Sequence, residues 1–324
     1  MTLIDASTTI DPEIVEGILA DGRFTIGERG PEPTLELLAT MRTQPPRVPY
    51  DPIPPAGVVR EERTAPGPPG APEVPIRVYR PERPSAAALP AIVWMHGGGL
   101  VAGNWDQDQP ILDELVSRAG CVGVSVDYRL APETPFPGPV DDCFAVLRHV
   151  HDAADELGVD PARIAVGGGS AGAGLAAALA LRARDEGLPL VHQHLIYPML
   201  DDRQITQSSR WDLLVVWPRE MNAFAWRCYL GDRYGTDDVP AYAAPARAED
   251  LSGLAPAYIH VGGLDGFLHE DLDYAERLTA AGVPVELHVF PNAPHGFELV
   301  APQARVTETA HTLQLAALLR VLTA

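Results

Sequence analysis

The sequence predicts an α/β fold, in which a mostly parallel β-sheet carries helices on both of its faces. From Ala91 onward, short apolar and β-branched runs alternate with helical stretches, which is typical of repeated strand–helix crossovers. One of these runs ends in glycines around Ser170, and an Ala/Leu-rich helical stretch follows at once. A chain of 324 residues suits one large domain of this class with a small appendage.

The first part of the chain, residues 1–45, is amphipathic and predicted to be helical. The run Asp11-Pro12-Glu13 offers a helix N-cap, a first-turn proline and an early acid. A second helix is predicted over Thr34–Met41. The prolines between 45 and 55 cannot continue a helix, so an extended connector is expected there.

An antiparallel pair of strands comes next, and the strand–helix alternation follows it. The pair is predicted at Val58–Thr64 and Val74–Tyr79, around a turn rich in proline and glycine. Later strands are predicted at Ala91–Met95, Cys121–Val126, Ile164–Val166, His194–Tyr197, Ala257–Val261 and Val285–Phe290. Helices are predicted at about Gln109–Ala119, Val140–Leu157, Ser170–Arg184, Glu270–Ala281 and Gln303–Leu322.

The stretch between Tyr197 and Ala257 is longer than one crossover needs, and it is rich in aromatic residues. This density predicts an inserted helical segment above the carboxyl ends of the strands, where a ligand pocket is common. Packing into an ordinary helical core is the alternative. Trp217 and Phe224 are candidates for the wall of such a pocket.

Composition and charge exclude several classes of function. The net charge is −20, from 24 basic and 44 acidic residues, and no basic cluster favours nucleic acid as a partner. The widely spaced Cys121, Cys143 and Cys228 suggest neither a disulfide framework nor a zinc knuckle, so a reducing, cytoplasmic location is expected. Neither a signal peptide nor a membrane span is expected, since no apolar stretch approaches about 18 residues.

Residues 168–172 read Gly-Gly-Ser-Ala-Gly and fit G-x-S-x-G, the pattern of a sharp strand-to-helix turn with a serine at its apex. A serine hydroxyl needs a base, and the base needs an acid to orient it. His295 lies in a proline-rich loop after one predicted strand, and Asp265 follows the neighbouring strand. The order Ser170, Asp265, His295 is that of the α/β-hydrolases. Two other acids, Asp201 and Asp202, compete with Asp265 for the orienting role.

The run His96-Gly97-Gly98-Gly99 follows the strand Ala91–Met95 and predicts an oxyanion hole. Glycines allow main-chain N–H groups to approach a ligand closely, and the N–H of Ala171 would complete the hole. A phosphate-binding loop is the alternative, but the lysine that such a loop requires is missing. His192 and His194 share one face of a strand without a third ligand at suitable spacing, so no metal site is predicted.

Together these motifs resemble the hormone-sensitive lipase family of esterases, the bacterial branch of which has the α/β-hydrolase fold. The resemblance covers about residue 58 to the C-terminus, and it is carried by residues 96–99, 127–133 and 168–172 with Asp265 and 295–297. It implies Ser170 as nucleophile, Asp265 as acid and His295 as base. It also implies oxyanion N–H groups from Gly98, Gly99 and Ala171, with His96 bracing the loop. Gly97, Gly168 and Gly172 supply the small positions of these motifs.

The resemblance also divides the chain into a core and a cap. Residues 1–45 and 203–233 are expected to form a helical cap, and residues 46–202 and 234–324 the α/β-hydrolase core. The resemblance admits a homodimer through the last strand or helix. One departure is Gly169, where the family usually has an aspartate.

The function implied is that of a serine carboxylesterase acting on short- to medium-chain acyl esters through an acyl-enzyme, with no cofactor and no metal. The substrate would be a small-molecule ester. The same residues would serve an amidase or a lactonase, and a few proteins of this fold are non-catalytic receptors for small molecules.

Overall fold

The computed structural model describes residues 9–28, 30–44, 51, 53–83, 87–212 and 214–323. The strands are β1 (Val58–Ala65), β2 (Val74–Pro81), β3 (Leu89–Met95), β4 (Val122–Val126), β5 (Val159–Gly169), β6 (His192–Ile196), β7 (Ala257–Gly262) and β8 (Val285–Phe290). The helices are α1 (Pro12–Asp21), α2 (Leu35–Thr43), α3 (Gln109–Ala119), α4 (Gly138–Asp152), α5 (Ala154–Leu157), α6 (Ala171–Glu186), α7 (Arg219–Leu230), α8 (Leu268–Ala280), α9 (Phe297–Val300) and α10 (Arg305–Leu322). Within these ranges no helix has both the length and the apolar character needed to cross a membrane.

The strands form one eight-stranded sheet in the order β1-β2-β4-β3-β5-β6-β7-β8. Strands β3 to β8 run parallel, and β1 and β2 form the antiparallel pair at one edge. The predicted α/β class, with its mostly parallel sheet, is therefore confirmed. Because successive side chains of a strand point to opposite faces, Ile92 packs with α3 and α10, and Val93 packs with α4 and α6.

Most predicted elements end within two residues of the observed bounds, whereas one strand and one helix differ more. Strand β5 continues through residues 167–169, since these glycines leave room for neighbours: a Cβ on Gly167 would lie 2.9 Å from Cζ3 of Trp94. The single helix predicted over Val140–Leu157 is broken at Ala153, where the backbone leaves helical geometry (φ −98°, ψ 21°).

The two N-terminal helices pack near the carboxyl ends of the parallel strands. Helix α1 is capped by Asp11, which accepts a hydrogen bond from the N–H of Glu13 (2.8 Å), as predicted. It packs so closely against α9 that a Cβ on Gly17 would lie 2.4 Å from the carbonyl oxygen of Val300. Helix α2 reaches the glycine loop through Arg42, which donates to the carbonyl of Val101 (2.7 Å). Most of the predicted connector lies outside the described residues.

Candidate active site

Ser170 stands at the turn between β5 and α6, with a backbone conformation that L-residues rarely adopt (φ 57°, ψ −118°). Its N–H donates to the carbonyl of Ile196 (2.8 Å), which ties the strained turn to β6. A Cβ on Gly168 or on Gly172 would lie 2.4 Å or 2.0 Å from the carbonyl oxygen of Met95. Both positions therefore require glycine for the strand and the helix to meet.

Ser170, His295 and Asp265 form a continuous hydrogen-bonded series. The Ser170 Oγ lies 2.9 Å from Nε2 of His295, and Nδ1 of His295 lies 2.7 Å from Oδ2 of Asp265. The three residues are 7%, 6% and 1% exposed, so their hydrogen bonds are shielded from bulk water. With Nδ1–H donating to Asp265, Nε2 is left to accept the proton of the serine.

Further contacts hold the acid and the base in place. Oδ1 of Asp265 accepts a hydrogen bond from the N–H of Phe267 (2.9 Å), which fixes the carboxylate rotamer. The Phe267 and Tyr197 rings pack against the His295 ring in edge-to-face arrangements, at centroid distances of 5.0 and 4.8 Å. Neither aromatic ring was predicted from the sequence, because only the tertiary fold brings them to the histidine.

The glycine loop lies directly against the serine turn. A Cβ on Gly97 would lie 3.5 Å from Cβ of Ser170. Gly98 and Gly99 have φ values of 116° and 64°, a region that glycine adopts without strain. Ala171 is the first residue of α6, and the N–H groups of a first helical turn have no partner within the helix. Main-chain donors from both segments thus lie beside Ser170.

His96 is fully buried and holds the glycine loop in place through a hydrogen bond to Gly97. Its Nδ1–H donates to the carbonyl of Gly97 (2.7 Å), and its ring stacks on Tyr128 at 4.2 Å. The Tyr128 hydroxyl donates to the carbonyl of His96 (2.7 Å). Burial lowers the pKa of His96 to about 4, so the ring is neutral at pH 7. Arg129, the residue after Tyr128, forms a bidentate ion pair with Asp142, with N–O distances of 2.8 and 2.6 Å.

The competing candidates are engaged elsewhere. Asp201 pairs with Arg203 and Asp202 pairs with Arg247, each through two hydrogen bonds. Nε2 of His192 lies 3.4 Å from Nδ1 of His194, in the buried interior. Across the described ranges, no three His, Cys, Asp or Glu side chains are grouped so that they could hold a metal ion.

A cavity of about 670 Å³ lies between the N-terminal helices and the segment 214–221, and one of its lining residues, Trp217, has its ring 6.5 Å from the ring of His295. Its walls include Phe24, Met41 and Trp217, so they are largely apolar. Phe224 is not among its described lining residues, and this side chain packs into the core instead. The contribution of Phe24 had no signal in the sequence, since it depends on how the N-terminal segment folds back.

The sequence between residues 92 and 299 matches the profile of a family described as alpha/beta hydrolase fold. A carboxylesterase of Mycobacterium tuberculosis, NlhH, is 43% identical over 251 residues, which cover 75% of this chain and 78% of the relative. Among solved structures, a bacterial heroin esterase superposes with a TM-score of 0.85 at 40% identity, covering 98% of this chain and 99% of the other. Esterase LipW of Mycobacterium marinum superposes with a TM-score of 0.78 at 35% identity, covering 99% and 98%.

Proposed function

The chain belongs to the α/β-hydrolase fold family as a carboxylic ester hydrolase, and we propose that Ser170, His295 and Asp265 are its catalytic triad. The observation that carries this assignment is the hydrogen-bonded series from the serine through the histidine to the aspartate. The strained backbone of Ser170 supports it, because strain of this kind is typical of nucleophiles held at a sharp turn.

In the proposed reaction, Nε2 of His295 takes the hydroxyl proton as Oγ of Ser170 attacks the ester carbonyl carbon. The N–H groups of Gly98, Gly99 and Ala171 donate to the oxyanion that forms, and the charge is stabilised by dipoles already in position. His295 then protonates the leaving alcohol. Water repeats the sequence on the acyl-enzyme and releases the acid. Asp265 holds the histidine tautomer and stabilises the imidazolium.

The proposed substrates are small-molecule esters with short- to medium-chain acyl groups. The cavity that Trp217 borders has the size of a typical small-ligand pocket, and its apolar walls suit an alkyl group. We further propose that residues 1–45 and 203–233 are the cap over the core, since described parts of both segments line this cavity.

Two further proposals concern the oligomeric state and the cellular location of the enzyme. Strand β8 is an edge of the sheet and exposes Leu287 and Val289, at 37% and 43%, which favours a homodimer formed through this strand. Cys121, Cys143 and Cys228 are all free thiols, which favours a cytoplasmic location.

The assignment is tested with p-nitrophenyl esters from acetate to dodecanoate. Ser170→Ala should lower kcat by about a thousandfold or more, because the nucleophile is lost while the oxyanion donors remain. Asp265→Asn should cost a similar factor by misplacing the histidine proton. Asp201→Asn is the matched control, since Asp201 is an equally buried carboxylate paired with Arg203, and it should stay within about tenfold of the parent. A larger loss in Asp201→Asn than in Asp265→Asn would overturn the assignment of the acid.

A further inference from the structure

The indole of Trp217 lies between the large cavity and the glycine loop. An ideal Cβ on Gly99 would lie 2.2 Å from Cη2 and 2.4 Å from Cζ2 of Trp217, so the ring rests directly on this glycine. The same ring is 6.5 Å from the His295 ring, and Trp217 is one of the residues that line the cavity. One face of the site and one wall of the cavity are therefore formed by a single side chain.

The backbone at Val216 holds the indole in this position under strain. The N–H of Trp217 donates to the carbonyl of Val215 (2.8 Å), closing a three-residue turn with Val216 at its centre. Val216 has φ 70°, which is a conformational outlier for a β-branched residue, and a γ-turn with a left-handed centre is the rare, strained form. Strain that persists in a fold is frequently found at ligand clamps and switch segments.

A hydrogen bond to α7 fixes the other end of the ring. Nε1 of Trp217 donates to Oδ1 of Asn222 (3.1 Å), and Asn222 is only 4% exposed. On the opposite side of the turn, Cγ1 of Val216 would lie 3.4 Å from a Cβ on Gly296, the residue after His295. The turn thus spans the site from the glycine loop to the histidine loop.

We propose that Trp217 determines substrate specificity by separating the 670 Å³ cavity from Ser170. The indole in its observed position restricts the site to esters with small groups. Its displacement, by release of the strained turn and of the Asn222 hydrogen bond, admits an apolar group that fills the cavity. This inference rests on the proposed esterase function. It adds one substrate class, esters that carry one large apolar group, which the site accepts when the indole is displaced.

The test compares Trp217→Ala and Trp217→Phe with the parent on two ester series, one varied in the acyl chain and one varied in the alcohol. The ratio of kcat/KM for a ten-carbon group to kcat/KM for a two-carbon group should rise about tenfold or more in Trp217→Ala in at least one series. Burial of two further methylene groups already corresponds to a factor of this size. Trp217→Phe should fall between the two, and Asn222→Ala should shift the ratio in the same direction by a smaller factor.

Trp211→Ala is the matched control, because Trp211 is a half-buried tryptophan of the same segment that packs on His269 rather than on the glycine loop. Its ratio should equal that of the parent. Fluorophosphonate labelling and hydrolysis of the two-carbon ester report separately on the triad. If the parent is neither labelled nor able to hydrolyse the two-carbon ester, the proposed function is wrong. Variants that label normally but keep the parent's ratio in both series overturn the role of Trp217 alone, and Asn222→Ala decides the matter if Trp217→Ala does not fold.

Discussion

At the scale of single residues, neighbouring glycines of the serine turn carry different constraints. A Cβ on Gly172 would lie 2.0 Å from the carbonyl oxygen of Met95, whereas a Cβ on Gly169 would meet nothing closer than 3.8 Å, at the ring of Tyr197. Gly172→Ala must therefore move the backbone that positions Ser170, and displacements near 1 Å cost about a hundredfold in rate. Gly169→Ala should keep kcat/KM within about threefold, measured beside thermal unfolding. Equal losses in the two variants would contradict this account of the turn.

The candidate triad could be predicted from the sequence alone. Ser170, Asp265 and His295 each follow a recognisable strand, and parallel strands bring their carboxyl ends to one edge of the sheet. The aromatic rings that contact His295 could not be predicted in this way. Tyr197 and Phe267 touch His295 only because β6 and the start of α8 are packed beside its loop, and no local pattern encodes that packing.

At the scale of elements, Arg42 joins helix α2 to the loops beside the glycine run. Its guanidinium donates to the carbonyls of Val101 and Ala131, each at 2.7 Å, and pairs with both carboxylate oxygens of Glu133. Arg42→Ala should therefore loosen α2, lower kcat/KM by about tenfold and expose the N-terminal segment to proteolysis. Arg42→Lys should restore little, because an ammonium cannot reproduce the planar fork.

Arg305→Ala is the control for this prediction, because Arg305 joins α1 to the core through Glu13 in an ion pair that is largely exposed to solvent. Such surface pairs contribute about 0–1 kcal/mol, so activity and proteolysis should match the parent. If Arg42→Ala also matches the parent, α2 is held by its apolar contacts alone.

Element bounds could be predicted where a chemical signal marks them and not elsewhere. The N-cap at Asp11 and the strand Val285–Phe290 lie where the sequence predicts them. The break at Ala153 has no such signal, since the apolar period continues across it into Leu157. The order of the sheet likewise depends on the packing of whole layers, and this places β4 between β2 and β3.

At the scale of the whole molecule, buried ionisable groups make opposite contributions to the pH dependence of stability. Burial lowers the pKa of His192 to about 4, from an ordinary value of 6.5. Between these values the unfolded chain binds a proton that the folded chain does not, so this residue makes the free energy of unfolding decrease as pH falls. Burial raises the pKa of Asp108 to about 7, and here the folded chain binds the extra proton. Asp108 therefore makes the free energy of unfolding increase as pH falls from about 7 towards its ordinary pKa of 3.8.

Two variants separate these contributions. In His192→Gln the acid-induced loss of unfolding free energy between pH 7 and pH 4 should shrink by about 3 kcal/mol, the equivalent of the pKa difference. In Asp108→Asn the loss should grow, because the opposing group is removed. Urea titrations at pH 4, 5, 6 and 7 measure both slopes, and esterase assays at pH 7 verify that His192→Gln, which lies at the other end of β6, leaves the site intact. Parallel slopes in the parent and the two variants would contradict this account, because they would mean that each side chain has the same pKa in the folded as in the unfolded chain.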